Sequence, residues 1–441
     1  MASEGKSILL FVLVGSASFV FRPTTSGDCS SDRCYLFAKK IIECAELELT
    51  VVPDFCPETT PNLTVYEEID LSKNKLKRIG SSVFRQVQVS SIKVWDNDRK
   101  TNLTIHPKAF RGLENVLRNV SFRNSSIPEL PSGLFRNLLK LRHIFMKDDR
   151  IRVLQKGVFR GARQVELVNL EDNLLQVLDD YVFGGLVKLK ELRLSKNRIF
   201  MVHSNAFSSL RDLRDLDLSR NKIRDLQPKT FYSLKNLRVL DLSHNAIAAL
   251  FPLMFRGLQN LEDLVLSHNP IILVARDTFS TMFNLKRLEL QKCKLTYLKP
   301  GVFNGLKSLR HLLLHHNQIR SLPNELFSGL GYLKRVQLEF NELTTLNACA
   351  FDDVDDVEEI LMTGNPVHCD CLMAWSSRPD TARVYGKCQT PLTSKGQNIT
   401  QQIKYDVCTN MDYSVDCSQQ GVYSFASNDV MKYKNYFRYF N

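Results

Sequence analysis

Leucine recurs every 24 residues through the middle of the chain, without a slip from Leu141 to Val357. The unit reads L-x-x-L-x-L-x-x-N-x-L, as between Leu213 and Ile223, and a phenylalanine follows eight residues later at Phe231. One such unit is too short to enclose a hydrophobic core, so consecutive units must stack and bury each other's apolar sides. The sequence therefore predicts a solenoid of about 13 turns, counting looser units that begin at Tyr66.

Each unit also predicts a short strand. Apolar and polar residues alternate in Leu216-Asp217-Leu218, and a strand points alternate side chains to opposite faces. The leucines should therefore face the interior and the intervening residue the solvent. The asparagine after the strand can bond backbone groups of the turn that burial would leave unpaired.

Two columns of side chains should stack along the solenoid. The asparagine recurs in ten of thirteen units: Asn74, Asn97, Asn173, Asn197, Asn221, Asn245, Asn269, Asn317, Asn341 and Asn365. Ser125, Asp149 and Cys293 take its place in the other three. Under the convex side an aromatic spine is expected from Phe84, Phe110, Phe159, Phe207, Phe255, Phe303 and Phe351. The third unit, at Leu117, is displaced by about four residues, which we assign to a projecting loop over 98–102.

The chain has 11 cysteines, and all but a few lie near its ends. Four lie near the start: Cys29, Cys34, Cys44 and Cys56. Five lie near the end: Cys369, Cys371, Cys388, Cys408 and Cys417. A stack of repeats exposes an apolar face at each end, so terminal lids are needed. Disulfides in both clusters would supply them and would indicate an oxidising compartment.

The second cluster resembles the C-terminal cap of extracellular leucine-rich repeat proteins, a family that includes Slit, Toll-like ectodomains, small matrix proteoglycans and lamprey variable receptors. The matching residues are Asn365-Pro366, Cys369-Asp370-Cys371, Trp375, Cys388 with Pro391, and Cys408. The resemblance covers roughly residues 29 to 410 and implies the pairs Cys369 with Cys388 and Cys371 with Cys408. The implied fold is an α/β-type solenoid, a curved horseshoe with a parallel concave sheet and a disulfide cap at each end. The N-terminal connectivity stays open, because Cys34 and Cys44 are unusually far apart.

Three cysteines fall outside this scheme. Cys293 occupies an asparagine position, where a buried thiol has a structural role. Two alternatives exist for Cys349 and Cys417: they pair and tie the tail to the last repeats, or one of them links two chains into a dimer.

The first residues predict secretion. Lys6 precedes an apolar run from Ile8 to Val14, followed by small residues, which is the layout of a signal peptide cleaved between 18 and 27. The predicted organisation is signal 1–27, N-terminal cap 28–62, repeats 63–367, C-terminal cap 368–410 and an aromatic, basic tail 411–441. No other segment approaches the roughly 20 apolar residues of a membrane span. Sequons predict N-glycosylation at Asn62, Asn102, Asn119, Asn124 and Asn398.

The outward strand positions carry the functional information. Around the central leucine of repeats six to nine they are acidic: Glu191, Asp215, Asp217, Asp241 and Asp263. Just before the asparagine runs a second column: Lys196, Arg220, His244, His268, Lys292 and His316. Phe340, Phe145 and Trp95 are expected on outward strand positions as exposed aromatics. The alternative is that these positions are polar only because they face water. Glycans at Asn119 and Asn124 would leave repeats five to twelve free.

These features predict a secreted glycoprotein that binds an extracellular protein ligand or receptor on its concave face, in immune recognition or cell signalling. One alternative is a matrix or sulfated glycosaminoglycan-binding role, since the net charge is +12. Another is an ectodomain held at the membrane by a partner. The acidic concave centre argues against nucleic acid. No catalytic motif occurs, so we expect no enzyme and no cofactor. The cluster His311, His315 and His316 predicts pH-dependent affinity and no metal site.

Overall fold

The computed structural model describes residues 34–37, 40–53, 55, 65–351, 354, 356–369, 373, 376 and 382–400. Within these ranges the strands are β1 Tyr35–Phe37, β2 Ile41–Glu43, β3 Tyr66–Asp70, β4 Arg78–Ile79, β5 Val89–Trp95, β6 Thr104–Ile105, β7 Asn119–Arg123, β8 Glu129–Leu130, β9 His143–Lys147, β10 Val153–Leu154, β11 Leu167–Asn169, β12 Val177–Leu178, β13 Glu191–Arg193, β14 Met201–Val202, β15 Asp215–Asp217, β16 Val239–Asp241, β17 Ala249–Leu250, β18 Asp263–Val265, β19 Leu273–Val274, β20 Arg287–Glu289, β21 His311–Leu313, β22 Arg335–Gln337, β23 Glu359–Leu361 and β24 Arg383–Tyr385. Short 3-10 turns lie at Ala348–Phe351 and Leu392–Ser394. None of the described helical segments has the length and apolar character of a membrane span.

Sixteen strands form one sheet along the inside of the curve, in the order β1-β2-β3-β5-β7-β9-β11-β13-β15-β16-β18-β20-β21-β22-β23-β24. All neighbours are parallel except β1 and β2. The register is one repeat, so Leu192, Leu216 and Leu240 lie side by side. Four two-stranded sheets, among them β8 with β10 and β12 with β14, run along the returning segments. The predicted parallel solenoid is confirmed.

Leucine and phenylalanine fill the interior between these layers. Leu213, Leu216 and Leu218 are buried, as are their equivalents in other repeats. The phenylalanines stack face to face, with ring centroids 6.2 Å apart for Phe84 and Phe110 and 5.8 Å apart for Phe135 and Phe159. The spine is denser than the sequence predicted, because a ring such as Phe135 lies between those that were recognised.

The asparagine ladder joins each repeat to the one before it. The Asn221 Nδ2 atom donates to the carbonyls of Leu194 and Leu218, both at 3.0 Å, and to Ser219 at 3.1 Å. Its Oδ1 atom accepts from the backbone N–H of Ile199 at 3.0 Å. One side chain therefore satisfies buried backbone groups in two successive turns.

Three repeats lack this asparagine and complete the ladder differently. The Ser125 hydroxyl donates to the carbonyl of Val94 at 2.9 Å. Asp149 accepts the Ser125 N–H at 2.8 Å, but its other carboxyl oxygen is buried without a hydrogen-bond partner. Burial raises the pKa of Asp149 to about 8. Cys293 is buried beside the carbonyl of Leu266, and burial raises the pKa of its thiol to about 11, which fits the expected structural role.

Disulfides lie near both ends. Cys34 pairs with Cys44, which answers the question left open by their spacing, and Cys369 pairs with Cys388 as the resemblance implied. Cys349 is fully buried and disulfide-bonded, so its sulfur is not available to link two chains. The remaining predicted cap cysteines, Cys29, Cys56, Cys371, Cys408 and also Cys417, lie outside the described residues.

The inserted segment 98–102 packs back against the solenoid instead of projecting from it. The Arg99 guanidinium forms an ion pair with Asp148, with Nη2 and Oδ1 3.0 Å apart. The Arg150 guanidinium donates to the backbone carbonyl of Arg99 at 3.3 Å. These contacts hold the segment across repeat four, and the sequence-based prediction of a projecting loop was wrong.

Asn221→Ala tests the ladder. The variant leaves the Ile199 N–H unpaired in a buried turn and removes one of the two amide hydrogen bonds that each of the Leu194 and Leu218 carbonyls accepts, so we expect a loss of about 2–3 kcal/mol in the free energy of unfolding. Urea denaturation followed by circular dichroism measures it. The matched control is Asn260→Ala, whose exposed side chain bonds one carbonyl. Equal losses in the two variants would contradict a special role for the ladder.

Asp149→Asn tests the substituted position. The unfolded carboxyl ionises near 3.8 and the folded one near 8, so wild-type stability should fall as pH rises between these values. The asparagine side chain does not ionise, and its NH2 group replaces the unpaired carboxyl oxygen with a donor that can bond a backbone carbonyl of the ladder. We expect stabilisation by about 1–3 kcal/mol at pH 8 and much less near pH 4. Thermal melts from pH 4 to 8 measure this, with exposed Asp172→Asn as the control. A gain that does not change with pH would refute it.

Candidate functional site

The concave face is built from side chains that point away from the buried leucines. In β15 the central Leu216 is buried, while Asp215 and Asp217 on either side of it face outward. The strands are in register and about 4.8 Å apart, so equivalent side chains form continuous columns across the repeats. Polar groups distant in sequence are thereby placed side by side.

Five carboxylates predicted as a ligand site lie together on β13, β15, β16 and β18, and are called the acidic cluster: Glu191, Asp215, Asp217, Asp241 and Asp263. Glu191 is in register with Asp215, and Asp217 with Asp241. Partial burial raises the pKa of Asp215, Asp241 and Asp263. Neighbouring carboxylates add to the shift, so the cluster favours a positively charged partner.

Some of these carboxylates also stabilise the fold. Asp217 accepts the backbone N–H of Ser219 at 2.9 Å, and Asp241 accepts that of Ser243 at 2.8 Å. Both bonds fix the turn that follows the strand. Glu191 forms an ion pair with Arg193 on the same strand. The acidic cluster therefore combines local backbone contacts with an outward negative charge.

The second predicted column lies three residues beyond each strand: Lys196, Arg220, His244, His268, Lys292 and His316. The structure adds Phe340, at the equivalent position after β22, and the seven residues are called the exit row. Every member has a positive φ, between 53° and 58°. Earlier repeats place Asp96, Asn124, Asp148 and Asp172 there, also with positive φ. Asparagine, aspartate and histidine tolerate this conformation better than most residues. The backbone therefore accounts for part of the histidine pattern, which sequence reasoning did not recognise.

Two histidines of the exit row stack on each other. The rings of His244 and His268 are 3.9 Å apart and inclined by 13°. Desolvation lowers the pKa of both, and the positive charges of Arg220 and Lys292 lower it further. The stack therefore favours the neutral form of both rings.

Phe340 is the exceptional member of the exit row. A bulky residue with φ of 55° is a genuine outlier, and its ring is 53% exposed. The ring packs against His316, with centroids 4.5 Å apart, and His316 forms a 2.8 Å hydrogen bond with His315. The Phe340 ring also covers Gly364, where a Cβ atom would lie 2.6 Å from Phe340 Cδ1. An exposed aromatic platform is thus held in place by its neighbours.

The aromatic positions differ partly from expectation. Phe340 lies beyond β22 and not on an outward strand position as predicted. Phe145 and Trp95 do lie on strands. The Trp95 indole N–H donates to the Ser121 hydroxyl at 2.8 Å, and the Lys93 ammonium lies 4.5 Å from its ring centroid. Trp95 is therefore engaged within the chain.

The sequon asparagines near the N-terminal end make side-chain contacts. Asn119 lies 2.8 Å from a ring nitrogen of His143, and Asn124 donates to Asp96 at 2.9 Å. Asn102 accepts from Ser126 at 3.2 Å, and Asn398 is exposed. Asn62 lies outside the described residues. Glycosylation at these positions stays a prediction.

No group of three or more histidine, cysteine, aspartate or glutamate side chains is placed to hold a metal ion in the part of the chain that the structure describes. The histidines His311, His315 and His316 belong to one repeat but lie in different columns: His311 is on strand β21, and His316 is in the exit row. Recognition by charge, stacking and hydrogen bonds is the chemistry that this surface offers.

A family model described as "Leucine rich repeat" matches residues 163–223, 211–271, 272–319 and 312–367. No curated protein sequence matches the chain. Structural similarity is found to Toll in the Drosophila Toll–Spatzle complex, with a TM-score of 0.67 at 22% identity, covering 82% of this chain and 54% of that one.

Two further structures share the fold. A leucine-rich repeat protein of Leptospira interrogans gives a TM-score of 0.59 at 24% identity, covering 79% of this chain and 84% of that one. An octameric complex of Latrophilin 3, Unc5D and FLRT2 gives 0.54 at 21% identity, with 83% and 95% covered. The chain spans about half the length of the Toll chains. At these identities the likeness concerns the fold.

The histidine stack gives a prediction for solution. In His244→Gln the pKa of His268 should rise toward 6.5, because His244 is one of the groups that lower it. NMR titration of the ring protons measures the shift, and His203→Gln, away from the stack, is the control. The folded state prefers neutral rings, so their stabilisation is present above pH 6.5 and is lost as the pH falls through the folded-state pKa. A wild-type His268 that titrates at or above 6.5 would contradict the assignment.

Proposed function

We propose that this chain, which carries leucine-rich repeats and a disulfide near each end, is a secreted glycoprotein that binds an extracellular protein ligand or receptor. The binding surface is the concave face of repeats five to twelve, and the function is non-enzymatic. The observation that carries this proposal is Phe340. The ring contacts His316 and covers Gly364, yet 53% of Phe340 stays exposed on a backbone with positive φ, and contact with a partner would account for that exposure.

The surroundings of Phe340 fit a protein partner. Binding energy in protein interfaces concentrates on a few aromatic and arginine side chains in the centre of the contact. Phe340 lies with His316 and His315, and Tyr385 adds a second exposed ring on β24. Arg335 lies on β22 and Arg383 on β24, the strands on either side of β23. An apolar side chain of the partner would contact the Phe340 ring.

The acidic cluster supplies the charge pattern of the same surface. It lies on β13 to β18, toward the middle of the sheet, whereas Phe340 follows β22. Complementary charges mainly steer the encounter and fix the orientation of the partner. We infer a partner with a basic patch that meets the acidic cluster while an apolar group contacts Phe340.

The solved complexes with this fold support a protein ligand. The Toll structure holds Spatzle, and the FLRT2 complex holds Latrophilin 3 and Unc5D. Another structure of this fold, TLR13, holds single-stranded RNA. Disulfides form and persist in oxidising compartments, which supports the extracellular location. Signal cleavage and glycosylation belong to the same proposal.

The test begins with affinity capture from extracellular fluid, using the purified glycoprotein as bait, and continues with the captured protein in surface plasmon resonance. Phe340→Ala should weaken binding by about 10–30-fold, as loss of an aromatic side chain that carries much of the binding energy does. Asp215→Asn with Asp263→Asn should mainly slow association. The control is Tyr332→Ala, a ring 59% exposed outside the exit row. Full binding by Phe340→Ala with loss in Tyr332→Ala would place the contact elsewhere.

A further inference from the structure

A row of cations lies at the opposite end of the strands from Phe340. It consists of the residue directly before each strand of the large sheet from β7 to β23. These residues are called the entry row: Arg118, Arg142, Glu166, Lys190, Arg214, Arg238, Glu262, Lys286, Arg310, Lys334 and Glu358. From Arg142 onward, the backbone N–H of each member donates to the carbonyl of the member one repeat earlier, as Arg214 does to Lys190 at 2.8 Å. These side chains are therefore stacked about 4.8 Å apart.

Carboxylates interrupt the entry row at every fourth repeat. Glu166 is shared by Arg142 and Lys190, and Glu262 by Lys286, at 2.6 Å, and Arg238, at 3.8 Å. The hydrogen bonds from Lys190 and Lys286 lower the pKa of these two glutamates. The row holds eight cations and three glutamates, so a positive excess of five remains.

The positive excess is concentrated where like charges are neighbours. Arg214 lies between Lys190 and Arg238, and Arg310 lies between Lys286 and Lys334. Like charges on adjacent strands destabilise a sheet. Lys190, Lys286 and Lys334 each pair with a glutamate of the row. Arg214 and Arg310 form no ion pair among the residues that the structure describes, so an anionic ligand would be attracted to them.

The centre of the entry row is a groove of about 510 Å³. Lys190, Arg214, Arg238 and Lys286 line it, together with Asp212, Glu262 and the asparagines Asn236, Asn260 and Asn284. The asparagine amides are oriented by bonds to backbone carbonyls, from Asn236 to Arg211 at 3.0 Å and from Asn260 to Lys235 at 2.8 Å. The groove thus combines cations with fixed polar groups that suit hydroxyls.

We propose that the entry row binds a linear sulfated polysaccharide. Sulfate groups pair with the lysines and arginines, and the amides and carboxylates of the groove bond sugar hydroxyls. A linear polymer fits because the cations continue from Arg118 to Lys334, nine repeats apart, or roughly 43 Å at the strand spacing. None of the nine groove residues is aromatic, whereas single-stranded nucleic acids are held by base stacking on aromatic rings.

This inference goes beyond the protein ligand proposed above. The exit row and Phe340 lie past the ends of the strands, and the entry row lies at their starts. A polysaccharide on the entry row therefore leaves Phe340 uncovered. Failure of one proposal does not affect the other.

The experiment uses heparin as the probe and the full-length glycoprotein, with affinity measured by calorimetry at several salt concentrations. Arg214→Gln with Arg238→Gln should weaken binding on the order of tenfold. The slope of log Kd against log salt should become shallower by about 1 to 2. The control pair is Lys222→Gln with Arg224→Gln. It also removes two positive charges, from exposed positions after β15, in the repeat that contains Arg214. The control should stay within about twofold of wild type.

The affinities of the two variant pairs decide whether the entry row is a specific site for heparin. Equal weakening in both pairs would mean attraction by net charge alone and would overturn the proposal, as would unchanged binding in the groove pair. Tighter binding of single-stranded RNA than of heparin, lost in the same pair, would make the ligand a nucleic acid and also overturn it. Lys286→Gln with Arg310→Gln repeats the test if the first pair does not fold, judged by circular dichroism. Phe340→Ala should bind heparin like wild type.

Discussion

The solenoid requires that buried backbone groups be paired wherever a strand ends and the chain turns. The asparagine ladder meets this need, since one side chain such as Asn221 bonds carbonyls of its own turn and of the turn before it. Because the bonds reach one repeat back, they hold the strand ends of successive repeats at one spacing, which keeps the sheet in register. The length of a repeat can still vary, since the ladder also spans the repeat that the segment 98–102 lengthens. Columns of outward side chains then arise as a consequence of the same register.

Burial made much of this fold predictable from the sequence. Leucine positions, strand positions, the ladder and the phenylalanine spine all follow a regular period, which one sequence displays. Other features have no period. The disulfide between Cys34 and Cys44 and the ion pair of Arg99 with Asp148 depend on how distant segments meet. The left-handed conformation of the exit row was also missed, because lysine, arginine, histidine and phenylalanine occupy it without the glycine that normally signals a positive φ.

The sequence predicted which outward side chains form columns on the concave face, but it did not predict what each side chain contacts. The sequence placed the five carboxylates of the acidic cluster on adjacent strands, and the structure brings them together. It did not reveal that Asp217 and Asp241 also bond the backbone of the following turn. Phe340 was recognised as an exposed ring, but its strained position beyond the strand was not. The entry row was overlooked because its lysines and arginines read as ordinary surface charge until the register aligned them.

The inserted segment 98–102 has a mechanical consequence. Repeats three and four carry Ser125 and Asp149 in place of asparagine, but β5, β7 and β9 pair there over five residues, whereas strands such as β13 and β15 pair over three. Arg99 comes from repeat two and holds Asp148 of repeat four. The segment therefore ties repeat two directly to repeat four, and a load that separates repeats two and three must also break this ion pair.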